Sequence, residues 1–323
     1  MDIHRQPFPQ INAAYNSAFV PGKLTLGLVA PLDSYAVGAV PDLTRHIERV
    51  KLADALGFAA IWLRDVPFNV PSFGDVGQVF DPFVYLGALS MATSRIALGV
   101  ASIILPLRHP AHVAKAAASV DVLSGGRLLL GVASGDRPEE YPAMNMDYPD
   151  RGVRFRDSFD YIRAMADDFP NLNARQGSLG GSLDMLPKPD GARLPLMITG
   201  GAQQSPAWVA AHGDGWITYP RDAAAQGQSV AAYRDRITEH KLPNKPVIQS
   251  LYVDLLADPD AAPHPIHLGF ASGVNFLRTY LQDLQRHGIN HVALNLRLNR
   301  ADTEDTMAQI ARDLLPEFGT EGA

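Results

Sequence analysis

Short apolar runs alternate with segments of helical spacing along nearly the whole chain. Residues 24–29 are apolar at almost every position, which is typical of a strand covered on both faces. In the segment that follows, Pro41 and Asp42 predict the start of a helix and Gly57 predicts its end. Predicted strands are residues 24–29, 60–63, 96–104, 127–133, 196–199, 215–218, 247–256 and 291–296. Predicted helices are residues 41–57, 82–92, 111–123, 152–166, 205–212, 223–240, 273–287 and 303–315.

Eight strands in strict alternation with eight helices indicate an α/β protein with a parallel sheet and right-handed crossovers. The count of eight favours a closed (β/α)₈ TIM barrel over an open doubly wound sheet, because closure leaves no unpaired edge strand. We therefore predict a single barrel domain over residues 23–323. The first 22 residues contain three prolines and have no clear period, so they predict an N-terminal arm. Residues 169–193 are rich in Gly, Pro and Asn. They predict an insertion before strand five that is a short hairpin, a lid or a plain solvent loop.

Composition excludes several classes of protein. The 323-residue chain has 28 Lys and Arg against 34 Asp and Glu and no basic cluster, which argues against a nucleic acid or an anionic membrane surface as partner. It contains no cysteine, so disulfides, thiolate catalysis and cysteine zinc sites are excluded, and a reducing cytoplasm is the location we expect. No spanning apolar segment and no secretory signal are predicted.

The clearest candidate for chemistry is the turn after the predicted fifth strand. Thr199 leads into Gly200 and Gly201, and Ser205 and Pro206 begin a helix. Two glycines allow the backbone to approach a ligand closely, and the exposed amides suit an anion such as a phosphate. An ordinary strand-to-helix turn with a serine cap is the alternative explanation.

Two further stretches are candidates for ligand contact. Small residues around Ala101 and Ser102 in the third strand leave room for a flat ring against the backbone, although taken alone they are better explained by close helix–strand packing. The fourth strand ends at Ser134, and Arg137 follows just beyond it. Arg137 could neutralise a phosphate, and the equally good alternative is a solvated loop residue. Two pairs of histidines, 109 with 112 and 264 with 267, have three-residue spacing, but H-E-x-x-H is missing and no metal site is predicted. The dinucleotide, P-loop and serine-hydrolase motifs are also missing.

Taken together, these stretches resemble the bacterial luciferase-like family of flavin- or deazaflavin-dependent oxidoreductases, from about residue 24 to residue 315. The order and spacing of several motifs carry the resemblance: GFAAIW (57–62), RIALGV (95–100), PLRHP (106–110), DVLSGGRLLLG (121–131), DRGVRF (150–155), LPKP (186–189) and ITGGAQQSPAW (198–208). The family fold is a (β/α)₈ barrel with an insertion before strand five, which agrees with the strand count.

The resemblance implies roles for particular residues. In the family, backbone amides after strand five hold the flavin phosphate, which here implies Gly201 and Ala202, next to Gly200, with the Ser205 hydroxyl. A non-proline cis peptide under the flavin ring is expected at Ala101–Ser102 or one residue away. Ser134 stands where the luciferase has a phosphate-binding arginine, and Arg137 is the expected substitute.

The sequence departs from the luciferase at a catalytic position. The luciferase has a histidine just after strand two, whereas this chain has Val66, so light emission is not expected and the base of an oxygenation is unidentified. Asp65 and Arg108 are the candidate catalytic residues. Asp65 could hydrogen-bond a substrate, form an ion pair with Arg64 or cap the loop.

The resemblance implies an FMN-using monooxygenase. Reduced flavin would come from a partner reductase, since no nicotinamide motif is present, and a homodimer is expected by analogy. Phe68, Phe73 and Phe80 in the loop after strand two favour a small, largely apolar substrate.

Three alternatives to this function stay open. The first is a deazaflavin-dependent hydride transfer with Arg64, Arg108 and Arg137 binding the acidic tail of the coenzyme. The others are a non-catalytic flavin-binding protein and a non-redox barrel that binds a phosphorylated metabolite.

Overall fold

The computed structural model describes residues 6–320. The helices are α1 (Ala13–Ala18), α2 (His46–Leu56), α3 (Pro82–Ala92), α4 (Pro110–Leu123), α5 (Glu140–Ala143), α6 (Arg151–Ala164), α7 (Pro206–His212), α8 (Ala223–Glu239), α9 (Val274–Arg286) and α10 (Thr303–Phe318). The strands are β1 (Thr25–Val29), β2 (Ala60–Leu63), β3 (Ala97–Ile104), β4 (Leu128–Ala133), β5 (Asn171–Ala174), β6 (Gly177–Gly180), β7 (Leu196–Thr199), β8 (Gly215–Thr218), β9 (Val247–Leu255), β10 (His264–Ile266), β11 (Gly269–Ser272) and β12 (His291–Asn295).

Eight parallel strands of the described chain close into a barrel in the order β1, β2, β3, β4, β7, β8, β9 and β12, and β12 pairs with β1 again. The predicted TIM barrel is therefore confirmed. The predicted bounds of β2, β7 and β8 are those observed, and the other barrel strands agree to within a residue at each end. Side chains of both faces are buried because the helices cover the outside and other side chains fill the inside.

The predicted helices begin within one residue of the observed starts, with one exception, whereas α6 ends two residues before and α10 three residues after the predicted end. Asp81, Ser205, Asp222 and Asp302 each accept hydrogen bonds from amides of the helix that follows. The predicted helix start at residues 41–42 is wrong, because α2 begins only at His46. The Asp42 carboxylate instead accepts from the amide of Thr44 and stabilises a local turn.

The insertion before the fifth barrel strand contains an antiparallel hairpin, β5–β6, over part of residues 169–193. Its turn contacts the barrel. Arg175 forms an ion pair with Asp150 at 2.9 Å, and the Gln176 carbonyl accepts from the His109 ring at 3.2 Å. A second hairpin, β10–β11, extends the second half of β9 and was not predicted from the sequence.

The described part of the N-terminal segment packs under the barrel. α1 contacts β3 and β4, and Tyr15 and Phe19 belong to the same buried cluster as the inward-facing Trp62 and Met197. This segment covers the end of the barrel at which the strands begin, and ligand sites of such barrels lie at the opposite end. The division of the chain into an arm and a barrel domain stays a prediction. Within the described residues, no helix is long and apolar enough to cross a membrane.

Candidate functional site

The turn after β7 exposes a row of backbone amides. Gly200, Ala202 and Gln203 have positive φ angles of 57°, 45° and 60°. The amides of Gly201, Ala202 and Gln203 donate to no group of the described chain. A succession of free amides in such a turn forms a concave site for an anion. Because α7 has only seven residues, the turn rather than a helix dipole carries this capacity.

Neighbouring groups hold this turn rigidly. The Gly200 amide donates to the Ile217 carbonyl at 2.8 Å, and the Trp216 indole donates to the Gly200 carbonyl at 3.0 Å. The Gln204 side chain donates to the carbonyls of Ala202 and Gly152. The Ser205 hydroxyl accepts from the amide of Trp208 at 3.2 Å, which caps α7. The four predicted phosphate-binding residues therefore lie in one preorganised turn.

The third barrel strand approaches this turn across β4. The expected non-proline cis peptide is present between Ala101 and Ser102. The Ser102 hydroxyl hydrogen-bonds the hydroxyl of Thr199, the residue before the turn. This contact passes over Gly131 of β4, where a Cβ would lie 3.1 Å from the Ser102 hydroxyl and collide with the carbonyl of Val100. The missing side chain at position 131 thus brings β3 and the turn after β7 together.

The space beside Gly99 is filled by protein. A Cβ at Gly99 would overlap the indole ring of Trp62, so close packing inside the barrel explains this glycine. Only the region around Ala101 and Ser102, farther along the strand, stays a candidate for contact with a ring. Ser134 at the end of β4 is buried, and its carbonyl accepts from the Tyr141 hydroxyl.

Arg137 does not reach the turn after β7. Its guanidinium lies 4.6 Å from the ring centre of Phe73 and donates to the carbonyl of Asp75 at 3.3 Å. It also faces the carboxylate of Glu140 at 3.8 Å. Its contacts within the described chain are thus with the loop after β2 and with α5. A phosphate-binding role for Arg137 stays a prediction that these contacts do not support.

Asp65 and Arg108 are brought together, in an ion pair with each other. Two guanidinium nitrogens of Arg108 donate to the Asp65 carboxylate at 2.7 and 3.0 Å, and the same side chain reaches Asp81 at 2.8 Å. The Ile104 amide also donates to Asp65. Burial alone would lower the pKa of Arg108, but hydrogen bonds and charge from Asp65 and Asp81 raise it. The ion-pair partner of Asp65 is thus Arg108 and not Arg64, which pairs with Asp75. A catalytic role for Asp65 or Arg108 stays a prediction.

Glu140 is a site residue that the sequence analysis missed. Its side chain is 2% exposed, and burial raises its pKa to about 7, although the neighbouring Arg137 opposes the shift. The charges of Asp65 and Asp136 add to the rise. A carboxyl group that titrates near neutral pH is suited to exchange protons. No sequence signal separates Glu140 from the adjacent Glu139, because only the fold shows which of them is buried.

The chain belongs to the luciferase-like monooxygenase family, whose model matches residues 22–323. An uncharacterised protein of Mycobacterium tuberculosis is 30% identical over 188 residues, which are 53% of this chain and 66% of that protein. Limonene 1,2-monooxygenase of Rhodococcus erythropolis is 31% identical over 121 residues, 38% of this chain and 30% of that enzyme. The chain thus spans just under two thirds of the first curated relatives it matches, and less of the named enzyme.

Solved structures show the same fold. The monooxygenase RslO1 from Streptomyces bottropensis superposes with a TM-score of 0.77 at 19% identity, over 91% of this chain and 100% of its own. An F420-dependent secondary alcohol dehydrogenase has a TM-score of 0.74 at 17% identity, over 90% and 98%. The oxygenating constituent of 3,6-diketocamphane monooxygenase from Pseudomonas putida, in complex with FMN, has a TM-score of 0.72 at 12% identity, over 92% and 99%. The family supports an oxidoreductase with a flavin-type cofactor.

Proposed function

We propose that the protein is an FMN-dependent monooxygenase that acts on a small, largely apolar molecule and takes reduced flavin from a partner reductase. The row of free amides at Gly201, Ala202 and Gln203 supports this proposal most directly. These amides and the Ser205 hydroxyl would hold the phosphate, and Ala101 and Ser102 would lie beside the ring. The bound cofactor would supply the redox chemistry, while the barrel mouth orients it and excludes water.

The charges at the mouth favour FMN over a deazaflavin. A deazaflavin with an acidic tail requires free cationic side chains, and we predicted Arg64, Arg108 and Arg137 for that purpose. All three already face carboxylates: Arg64 pairs with Asp75, Arg108 with Asp65 and Asp81, and Arg137 with Glu140. Binding an acidic tail at Arg64 or Arg108 would require breaking their ion pairs, which costs free energy, and at Arg137 the nearby Glu140 carboxylate would repel the tail. The similarity to limonene 1,2-monooxygenase supports a monooxygenase.

The proposal is tested by titrating the protein anaerobically with oxidised FMN, reduced FMN and deazaflavin coenzyme. We expect reduced FMN to bind with micromolar affinity and Gly201→Asp combined with Ser205→Ala to weaken binding by about 2–3 kcal/mol, or about 30- to 150-fold. A Cβ at Gly201 meets no atom closer than 3.7 Å, so the backbone accommodates the substitution and the loss would come from the negative charge. Gly180→Asp is the matched control, because a side chain there meets nothing within 4 Å. Tighter binding of the deazaflavin would favour hydride transfer, and no binding of any of the three would reject the proposal.

We propose a homodimer that forms through α3. This helix exposes Val84 and Met91, which are 74% and 78% exposed and lie two turns apart on one face. An exposed apolar stripe of this kind is a common protein contact. Sedimentation should show a dimer, and Val84→Glu with Met91→Glu should convert it into a monomer. A monomeric parent protein would contradict this proposal and leave the flavin proposal untouched.

A further inference from the structure

An open cleft lies between the loop after β2 and the short helix α5. It has a volume of about 490 Å³, which is enough for a small organic molecule. Its apolar walls are formed by Phe68, Val70, Pro71 and Ala143, and its polar ones by Asn69, Ser72, Glu139 and Glu140. We name it the β2–β4 cleft, after the strands whose loops form it, residues 68–72 and 139–143.

Glu140 lines this cleft and Arg137 lies behind it, next to Glu140, and each has unused hydrogen-bonding capacity. The side chains of Arg137 and Glu140 are 8% and 2% exposed, and their closest atoms, Nη1 and Oε1, are 3.8 Å apart. That distance is too long for a hydrogen bond. Neither Nη1 of Arg137 nor Oε1 of Glu140 has a hydrogen-bond partner within the described chain. A buried pair left in this state is unfavourable until another group bridges it.

The two atoms define the group that would bridge them. Nη1 of Arg137 needs an acceptor, and Oε1 of Glu140 needs a donor in the ionised form that predominates above pH 7. A single hydroxyl group can accept from Arg137 and donate to Glu140. Its oxygen can lie about 2.8 Å from both Nη1 of Arg137 and Oε1 of Glu140 across a gap of this width. A ketone or an ether would leave Glu140 unpaired, a carboxylate would be repelled by it, and an ammonium group would leave Arg137 unpaired.

The segment 68–73 covers this pair. The ring of Phe73 lies against the Arg137 guanidinium at 4.6 Å, and both Phe68 and Phe73 are about two-fifths exposed. The base of the loop is fixed by hydrogen bonds of Asp75 and Gln78, while at the tip the Phe68 backbone interacts with the Glu140 carboxylate. Entry of a ligand would therefore require the tip to move and to exchange this Phe68 contact. Strand β3, which contains Ala101 and Ser102, lies between β2 and β4 in the barrel, so the two loops that form the cleft follow the strands on either side of it.

We propose that the β2–β4 cleft is the substrate site and that Arg137 and Glu140 bind the hydroxyl group of an otherwise apolar substrate, an alcohol or a phenol. This inference rests on the proposed function, because it places that substrate beside the proposed flavin ring. It gives Arg137 a role different from phosphate binding. It also assigns specificity to Glu140, for which the sequence analysis proposed no role.

The test compares two probes that differ by one hydroxyl, 4-propylphenol and propylbenzene, by calorimetry on the full chain. We expect the phenol to bind at least about tenfold more tightly than propylbenzene, since the site's own polar groups stay unpaired with the latter. Glu140→Met should reduce the difference to about twofold or less, and Glu140→Gln should retain part of it. The matched control is Glu48→Met on the exposed face of α2, which should retain all of it. Thermal unfolding of each variant confirms that it is folded.

The outcomes separate this inference from the proposed function. If FMN binds but the phenol has no advantage, or if Glu140→Met leaves the advantage intact, the substrate site is wrong and the flavin proposal stands. If neither probe binds, the substrate site is equally wrong. A crystal structure with 4-propylphenol should place its oxygen between Nη1 of Arg137 and Oε1 of Glu140. A water molecule there, with the phenol bound elsewhere, would overturn the inference. Failure of FMN itself to bind would instead reject the proposed function.

Discussion

His291 is buried in a chain of hydrogen bonds that only its neutral form satisfies. The Trp62 indole donates to Nε2 of His291 at 2.9 Å, so Nδ1 carries the proton and donates to the Thr25 hydroxyl at 2.8 Å. That hydroxyl donates in turn to the carbonyl of Ala18. Burial lowers the pKa of His291 to about 3. A second ring proton would meet a donor instead of an acceptor, so the folded protein keeps this histidine neutral.

We predict that His291 makes the fold sensitive to acid. The unfolded chain takes up a proton below pH 6.5 and the folded protein does not, so stability is lost as the pH falls from 6.5 towards 3, by about 1.4 kcal/mol per unit. His291→Gln cannot titrate, so its stability deficit relative to wild type should shrink by about 2–3 kcal/mol between pH 6.5 and 4.5. Urea unfolding at a series of pH values measures this difference. A deficit that does not change with pH would show that His291 is protonated in the folded state.

Arg137 and Glu140 show where the sequence stops predicting the site. The sequence places both in the loop after β4, and the (β/α)₈ pattern places that loop at the mouth. It does not show the direction of a long side chain, and Arg137 extends to Phe73 and Asp75 in the loop after β2. By contrast, Gly200 and Gly201 were predictable as a turn, because glycine backbone geometry is local information.

At the scale of elements, the barrel strands were predictable because they are buried on both faces and therefore appear as continuous apolar runs. The short elements were not. The helix Ala13–Ala18 is one and a half turns long and is held by contacts with β3 and β4 rather than by its own propensity. The strands His264–Ile266 and Gly269–Ser272 form because the second half of β9 offers them a pairing edge.

The loop after β2 depends on one buried amide at its base. Gln78 is 1% exposed, accepts from the backbone amide of Arg64 at 2.9 Å and donates to the carbonyls of Arg64 and Phe80 at 2.6 and 3.0 Å. Gln78→Ala would leave these backbone groups without their partner, and we predict a cost of about 1–3 kcal/mol. Limited proteolysis should cut the loop faster than in wild type or in Gln228→Ala, an exposed control on α8. Equal cleavage of all three proteins would show that the loop base is held by other contacts.

In the molecule as a whole, the residues that stabilise the barrel floor and those of the candidate ligand site lie at opposite ends of the barrel. Side chains of the N-terminal segment fill one end of the barrel, and the candidate site occupies the other. Tyr15 is central to the end that the N-terminal segment fills. It is fully buried, packs edge-on against Phe19 at 5.3 Å and donates a hydrogen bond to the Asp214 carbonyl at 2.7 Å. A variant at this position therefore tests whether the two ends of the barrel are independent.

We predict that Tyr15→Ala lowers the free energy of unfolding by about 3–5 kcal/mol, because it leaves a cavity between α1 and the barrel. Tyr15→Phe removes only the hydroxyl and should cost about 1 kcal/mol. In each variant that remains folded, the affinity for reduced FMN should stay within about twofold of wild type, since Tyr15 packs at the end of the barrel where the strands begin and the phosphate turn lies at the opposite end. Chemical denaturation and flavin titration on the same samples measure the two quantities. A loss of flavin affinity in Tyr15→Phe, with stability nearly unchanged, would show that the floor of the barrel is coupled to its mouth.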